Sequence, residues 1–125
     1  MTTLFFKSPG HKQRFLTAMQ QIGKIDSGRL DQEYGAALYI LTADAGIWKS
    51  AQGYVDRHYI DIEAMLAEID VSHGYAVLVK LAGNLFNSEQ HLDPVEFMRL
   101  DESNFQVALF ALQIRRTSLH VSMST

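Results

Sequence analysis

Along most of the chain, apolar residues recur at intervals of three and four, the period of helices that bury one face. After Ser8-Pro9, Phe15, Met19 and Ile22 keep that spacing up to Gly23, a natural stop. Ser8 can accept from free helix amides, and a proline in the first turn loses no hydrogen bond. Residues 24–30 (KIDSGRL) read as a loop. Asp31 predicts the cap of a second helix, with Glu33 well placed in its first turn. There Tyr34, Ala37, Leu38 and Leu41 form one stripe, and Ala36, Tyr39 and Ile40 fill most of the rest. A helix apolar on most sides belongs at the centre of a bundle. Asp44-Ala45-Gly46 interrupts it, and Trp48, Ala51 and Val55 predict a shorter piece weakened by Gly53.

Asp61 precedes Ile62, Met65, Leu66 and Ile69, which share one helical face. Asp70 or Ser72 can cap the next segment, HGYAVLVKLAGNLFN. Its valines leave a strand over 75–79 open, but Tyr75, Leu78, Leu81, Ala82, Leu85 and Phe86 hold the helical period past a strand's usual length. Asn87 can take the left-handed conformation that ends a helix, and Asn84 can bond the loop beyond. Asp93-Pro94-Val95-Glu96 joins a cap, a first-turn proline and a reciprocal glutamate, opening a short helix to about Leu100. Asp101 caps a last helix, apolar almost all round through Phe105, Val107, Leu109, Phe110, Leu112 and Ile114, with Arg115 and Arg116 at its negative end. Leu119, Val121 and Met123 then alternate with polar residues as in a strand, for which TTLFF near the start is a possible partner. The pattern predicts an all-α, compact single-domain bundle of five to seven helices, three of them central, with short extended terminal segments. Residues 1–116 form the domain and 117–125 an extended or disordered tail.

Composition narrows the chemistry. The 125 residues, 47% hydrophobic and 20% charged, suffice for one core without staples. With no cysteine, this chain forms no disulfide, thiolate metal site or thiol nucleophile. No apolar run approaches the roughly 20 residues that span a bilayer, and the start lacks a secretory pattern, so a cytoplasmic protein is expected. Eleven Lys and Arg against fourteen Asp and Glu give a net charge of −3, which argues against nucleic acid. Arg115–Arg116 and Lys12 with Arg14 are the local basic exceptions.

The stretch YVDRHYIDIE (54–63) concentrates Asp56, His58, Asp61 and Glu63. On a helix Asp56 and His58 point apart, and on a strand Asp61 falls on the other face, so no regular element gathers all three. The stretch reads as a junction in which Asp61 caps the following helix, and no metal ligand is assigned. His73, Lys80, Asn84 and Asn87, spaced by seven, four and three, form a polar line on an otherwise apolar helix. That line is the candidate ligand-binding site if it meets a cleft. Trp48 and Tyr54, on the weakest helical piece, are the candidate interface residues. No nucleophile elbow or phosphate-binding glycine loop occurs, and no catalytic residue or cofactor is assigned.

FFKSPGHKQRF, EYGAALYILT, LVKLAGNLFN, the Asp-Pro start and LDESNFQVALFALQIRR, taken together, resemble a family of small helical proteins of unknown function from Gram-positive bacteria and their phages or mobile elements. The resemblance runs from about Phe5 to Arg116 and rests on core and cap residues, so it implies a fold and no chemistry. The expectation is a non-catalytic module that binds another protein or itself, for instance as a homodimer. A small ligand-binding protein or enzyme using a cleft near His73, Lys80 and Asn84, and a nucleic-acid binder using Arg115 and Arg116, are the alternatives.

Overall fold

A computed structural model describes residues 4–117 and 119–122. Among them are six α-helices: α1 Pro9–Gln21, α2 Gln32–Leu41, α3 Ala45–Ala51, α4 Ile62–Glu68, α5 His73–Asn87 and α6 Glu102–Arg116. Two 3-10 helices, Gln52–Tyr54 and Pro94–Arg99, and a hairpin of β1 Ile25–Asp26 and β2 Arg29–Leu30 complete the order. The fold is all-α, as the spacing predicts, and residues 75–79 are helical.

Side chains set nearly every boundary. Ser8, Asp31, Asp44, Asp61, Ser72 and Asp101 each accept a hydrogen bond from the amide three residues on, so every α-helix begins on a side-chain cap. Asp44, read from sequence only as part of an interruption, therefore also starts α3. Asp93 and Glu96 form the expected reciprocal capping box, although the helix they open is 3-10. The left-handed residue that ends α5 is Ser88 (φ 66°), one position beyond Asn87. Asn87 instead accepts from the Glu89 amide.

At the centre lies α2, where Tyr34 to Leu41 are buried around the whole circumference. It packs most extensively against α5 and α6, with α1 and α3 on its other sides. Phe15, Met19, Leu38, Ile40, Leu78 and Ile114 are among the side chains that this arrangement seals. α6 departs from the expectation of an all-round apolar helix in a core. Val107, Ala108, Ala111 and Ile114 face inward, while Leu109 and Leu112 are exposed.

Residues 24–30, read as a loop, form a two-residue hairpin. Ser27 (φ 52°) and Gly28 (φ 87°) both take positive φ, the geometry that matches the twist of paired strands. Residues 119–122 of the tail run beside β2: the Leu30 amide donates to the Leu119 carbonyl (3.0 Å) and the Val121 amide to the Gly28 carbonyl (2.8 Å). A Cβ on Gly28 would sit 2.7 Å from the Val121 carbonyl oxygen, so only glycine permits this approach. The described part of the amino-terminal segment does not pair with the tail. Phe5 stacks on Phe110, and Phe6 packs against His11, Phe15 and Tyr39. Thr2, Thr3 and Met123, which also belong to those expected extended segments, lie outside the described residues.

Candidate functional site

The junction 54–63 uses its charged groups on its own backbone. The Asp56 carboxylate accepts from the amides of His58 (2.7 Å) and Tyr59 (2.9 Å), which hold its pKa below the usual carboxylate value. Asp61 caps α4 through the Ala64 amide (3.0 Å). The Tyr34 hydroxyl donates to the Asp56 carbonyl (2.8 Å), and its pKa rises to about 12, first through burial and then through nearby carboxylates. Among the described residues no group of three His, Asp or Glu side chains is placed to hold a metal ion.

The polar line on α5 divides into residues committed to the fold and residues at the surface. Asn84 donates from Nδ2 to the Gln90 carbonyl (2.9 Å), and Asn87 serves the same loop. His73 is exposed and Lys80 half-buried. None of the four lines any of the clefts described below. Of the basic pair, Arg115 donates from Nε to the Leu85 carbonyl (2.8 Å) near the end of α5, and Arg116 is exposed.

A polar cluster that sequence reading missed lies beneath the amino-terminal segment. His11, fully buried, accepts at Nδ1 from the Lys7 amide (3.0 Å), so its proton resides on Nε2 and is donated to the Tyr39 carbonyl (2.8 Å). Burial lowers its pKa from 6.5 to about 4; the bond to Tyr39 opposes this, and the charges of Arg14 and Lys7 reinforce it. The Tyr39 hydroxyl donates to the Phe5 carbonyl. Lys7 donates from Nζ to Asn104 Oδ1 (2.8 Å) and the Tyr75 hydroxyl (3.1 Å). The Tyr75 pKa rises to about 12, chiefly through burial, with Asp44 and Asp101 adding to it. The cluster ties residues 5–7 to α1, α2, α5 and α6. Its only sequence signal was a histidine on the first turn of α1, beside two phenylalanines and a lysine.

Among the described residues, four depressions stand out at the surface and core margins. One of about 440 Å³ lies at the hairpin and carries both signs of charge, from Lys24, Arg29, Asp26 and Asp31. A second, apolar gap among Ile47, Met65, Leu66, Ile69, Val71 and Val79 has no room for water. The other two, about 290 and 350 Å³, lie between α1 and α3 and share Ala18, Gln21, Trp48 and Gln52. Of the predicted interface residues, Trp48 thus borders a cleft, while the Tyr54 hydroxyl is bonded to Glu68.

Large apolar side chains are exposed elsewhere. Val95 and Met98 on the second 3-10 helix are 67% and 69% exposed, and Leu109 and Leu112 on α6 are 43% and 39% exposed. No protein family, curated protein or solved structure matches the chain.

Proposed function

We propose that the chain is a non-catalytic, cytoplasmic helical module that works by associating with another protein or with itself, through the outer face of α6. The exposure of Leu109 and Leu112 carries this reading. Single exposed leucines are ordinary, but Phe105, Leu109 and Leu112 follow at i, i+4 and i+7 on one line. Phe105 is half-buried and stands outside the core cluster. The 3-10 helix bearing the exposed Val95 and Met98 packs beside α5 and α6. Apolar side chains in such a row favour a partner that removes them from water.

Leu109→Glu combined with Leu112→Glu tests the reading without touching the core. Sedimentation velocity of the wild type over a concentration series should show association that the double variant lacks, with circular dichroism unchanged. A wild type that is monomeric throughout, and captures the same proteins as the double variant, would sink the reading. Among the described residues no helix is long and apolar enough to cross a membrane.

A further inference from the structure

The two clefts between α1 and α3 form one trench, because Ala18, Gln21, Trp48 and Gln52 border both. One wall is a line of α1, where Gln13, Thr17 and Gln21 follow at i, i+4 and i+8. The other wall is Trp48, with Gln52 one turn further on. The two volumes, about 290 and 350 Å³, each stand near the lower end for small-molecule sites.

The lining combines neutral polar side chains with the apolar Ala18, Ile22 and Val55. Among the described residues no Asp, Glu or Lys borders the trench. Its one cation, Arg14, is turned toward the end of α2, donating to the carbonyls of Thr42 (2.8 Å) and Ala43 (3.3 Å). The side-chain amides of Gln13, Gln21 and Gln52, the Thr17 hydroxyl and the Trp48 indole N–H make no hydrogen bond to a described residue. Exposed Gln13, Thr17, Gln21 and Gln52 and half-buried Trp48 therefore border the cleft with side chains that can donate and, for the amides and hydroxyl, accept.

That set selects a ligand by elimination. Phosphates and nucleic acids call for clustered cations, and a cationic ligand calls for a carboxylate; the trench has neither. An indole face takes a flat or C–H-rich surface, while neutral amides take neutral hydroxyls. Sugar rings carry both, C–H bonds on one face and hydroxyls around the rim. We propose that this trench binds a neutral oligosaccharide, one ring lying against Trp48 and the hydroxyls of adjoining rings bonded to Gln13, Gln21 and Gln52.

Trp48 is the only tryptophan in the chain, so intrinsic fluorescence reports this site alone. The full chain should be titrated with maltotetraose, cellotetraose and chitotetraose, and screened on an array of neutral glycans. The expected result is saturable quenching or a spectral shift with at least one sugar. Gln21→Ala and Gln52→Ala should each weaken it about tenfold at unchanged circular dichroism. Trp48→Phe, read by calorimetry, should weaken binding as well; should that variant fail to fold, the glutamine variants still decide the matter. No saturable change up to roughly 10 mM sugar and no array signal would overturn the proposal. So would binding that ignores both glutamine substitutions, or saturation by a proline-rich peptide or a mononucleotide but by no sugar.

Discussion

The helix α1 carries polar groups on two faces, and the two have opposite fates. Inward, His11 uses both ring nitrogens, one accepting from Lys7 and the other donating to Tyr39, amid the rings of Phe6 and Tyr39. Outward, the side chains of Gln13, Thr17 and Gln21 make no hydrogen bond to a described residue and border a cleft. A buried polar group is retained when the fold satisfies it, and its chemistry is then consumed. An exposed group at a concave surface keeps its bonding capacity for something else. Polarity alone therefore does not mark a binding site; unspent capacity in a cleft is the better guide.

The sealed side should yield the largest effects. His11→Ala removes a fully buried ring and leaves the Lys7 amide and Tyr39 carbonyl without their partner, so a loss of about 3–5 kcal/mol is expected in urea denaturation. A loss under about 1 kcal/mol would mean that the cluster is not holding the segment down. Acid probes the same residue. The folded state depresses the His11 pKa from 6.5 to about 4, so between these values the unfolded chain binds more protons. Its contribution is complete above pH 6.5 and is lost as the pH falls, reaching about 3 kcal/mol by pH 4. Urea midpoints at neutral and acid pH, compared with those of His11→Gln, which does not titrate, isolate that share. Equal pH dependence in the two proteins would contradict the assignment.

The contrast also explains what could be read from sequence. Helix starts were legible because caps are local: Ser8, Asp31, Asp61 and Asp101 need only the amide three residues on. The centre was legible because Tyr34 to Leu41 leave no polar face. Long-range pairs were not legible. Lys7 meets Asn104 across 97 positions, and nothing local in either residue predicts it. The line His73, Lys80, Asn84 and Asn87 has correct helical spacing, but spacing fixes only a shared face. Whether a cleft lies over that face depends on neighbours that periodicity does not name. The hairpin at 24–30 was missed because Ser27-Gly28 is a weaker turn signal than Asn-Gly, and its strands are two residues each. That Leu109 and Leu112 lie at the surface of a helix apolar almost all round was not legible, because a helical repeat reports apolar residues, not which of them find a neighbour.

Intermediate effects should come from Lys7, which belongs to the sealed cluster yet retains partial exposure. Lys7→Met keeps most of the aliphatic stem and removes the donor to Asn104 and Tyr75. Asn104, 8% exposed, is then left with its side-chain carbonyl unpaired, and a cost of about 1–2 kcal/mol is expected by thermal or urea unfolding. If Lys7→Met matches the wild type, water replaces the ammonium at no cost and the cluster reduces to His11 and Tyr39.

The smallest effects belong to the open face, and they set the sharper limit. The side chains of Gln13 and Gln21 are exposed on α1 and bond to no described residue, so replacing either leaves no buried group unsatisfied. Alanine has the higher helix propensity, by a few tenths of a kcal/mol. Gln13→Ala and Gln21→Ala should therefore unfold within about 0.5 kcal/mol of the wild type, with any difference on the stabilising side. A loss above about 1 kcal/mol from either would show that the amide is committed to the fold in solution. The two faces of α1 would then not differ in kind, and unspent capacity would no longer distinguish the trench beside Trp48 from the sealed cluster around His11.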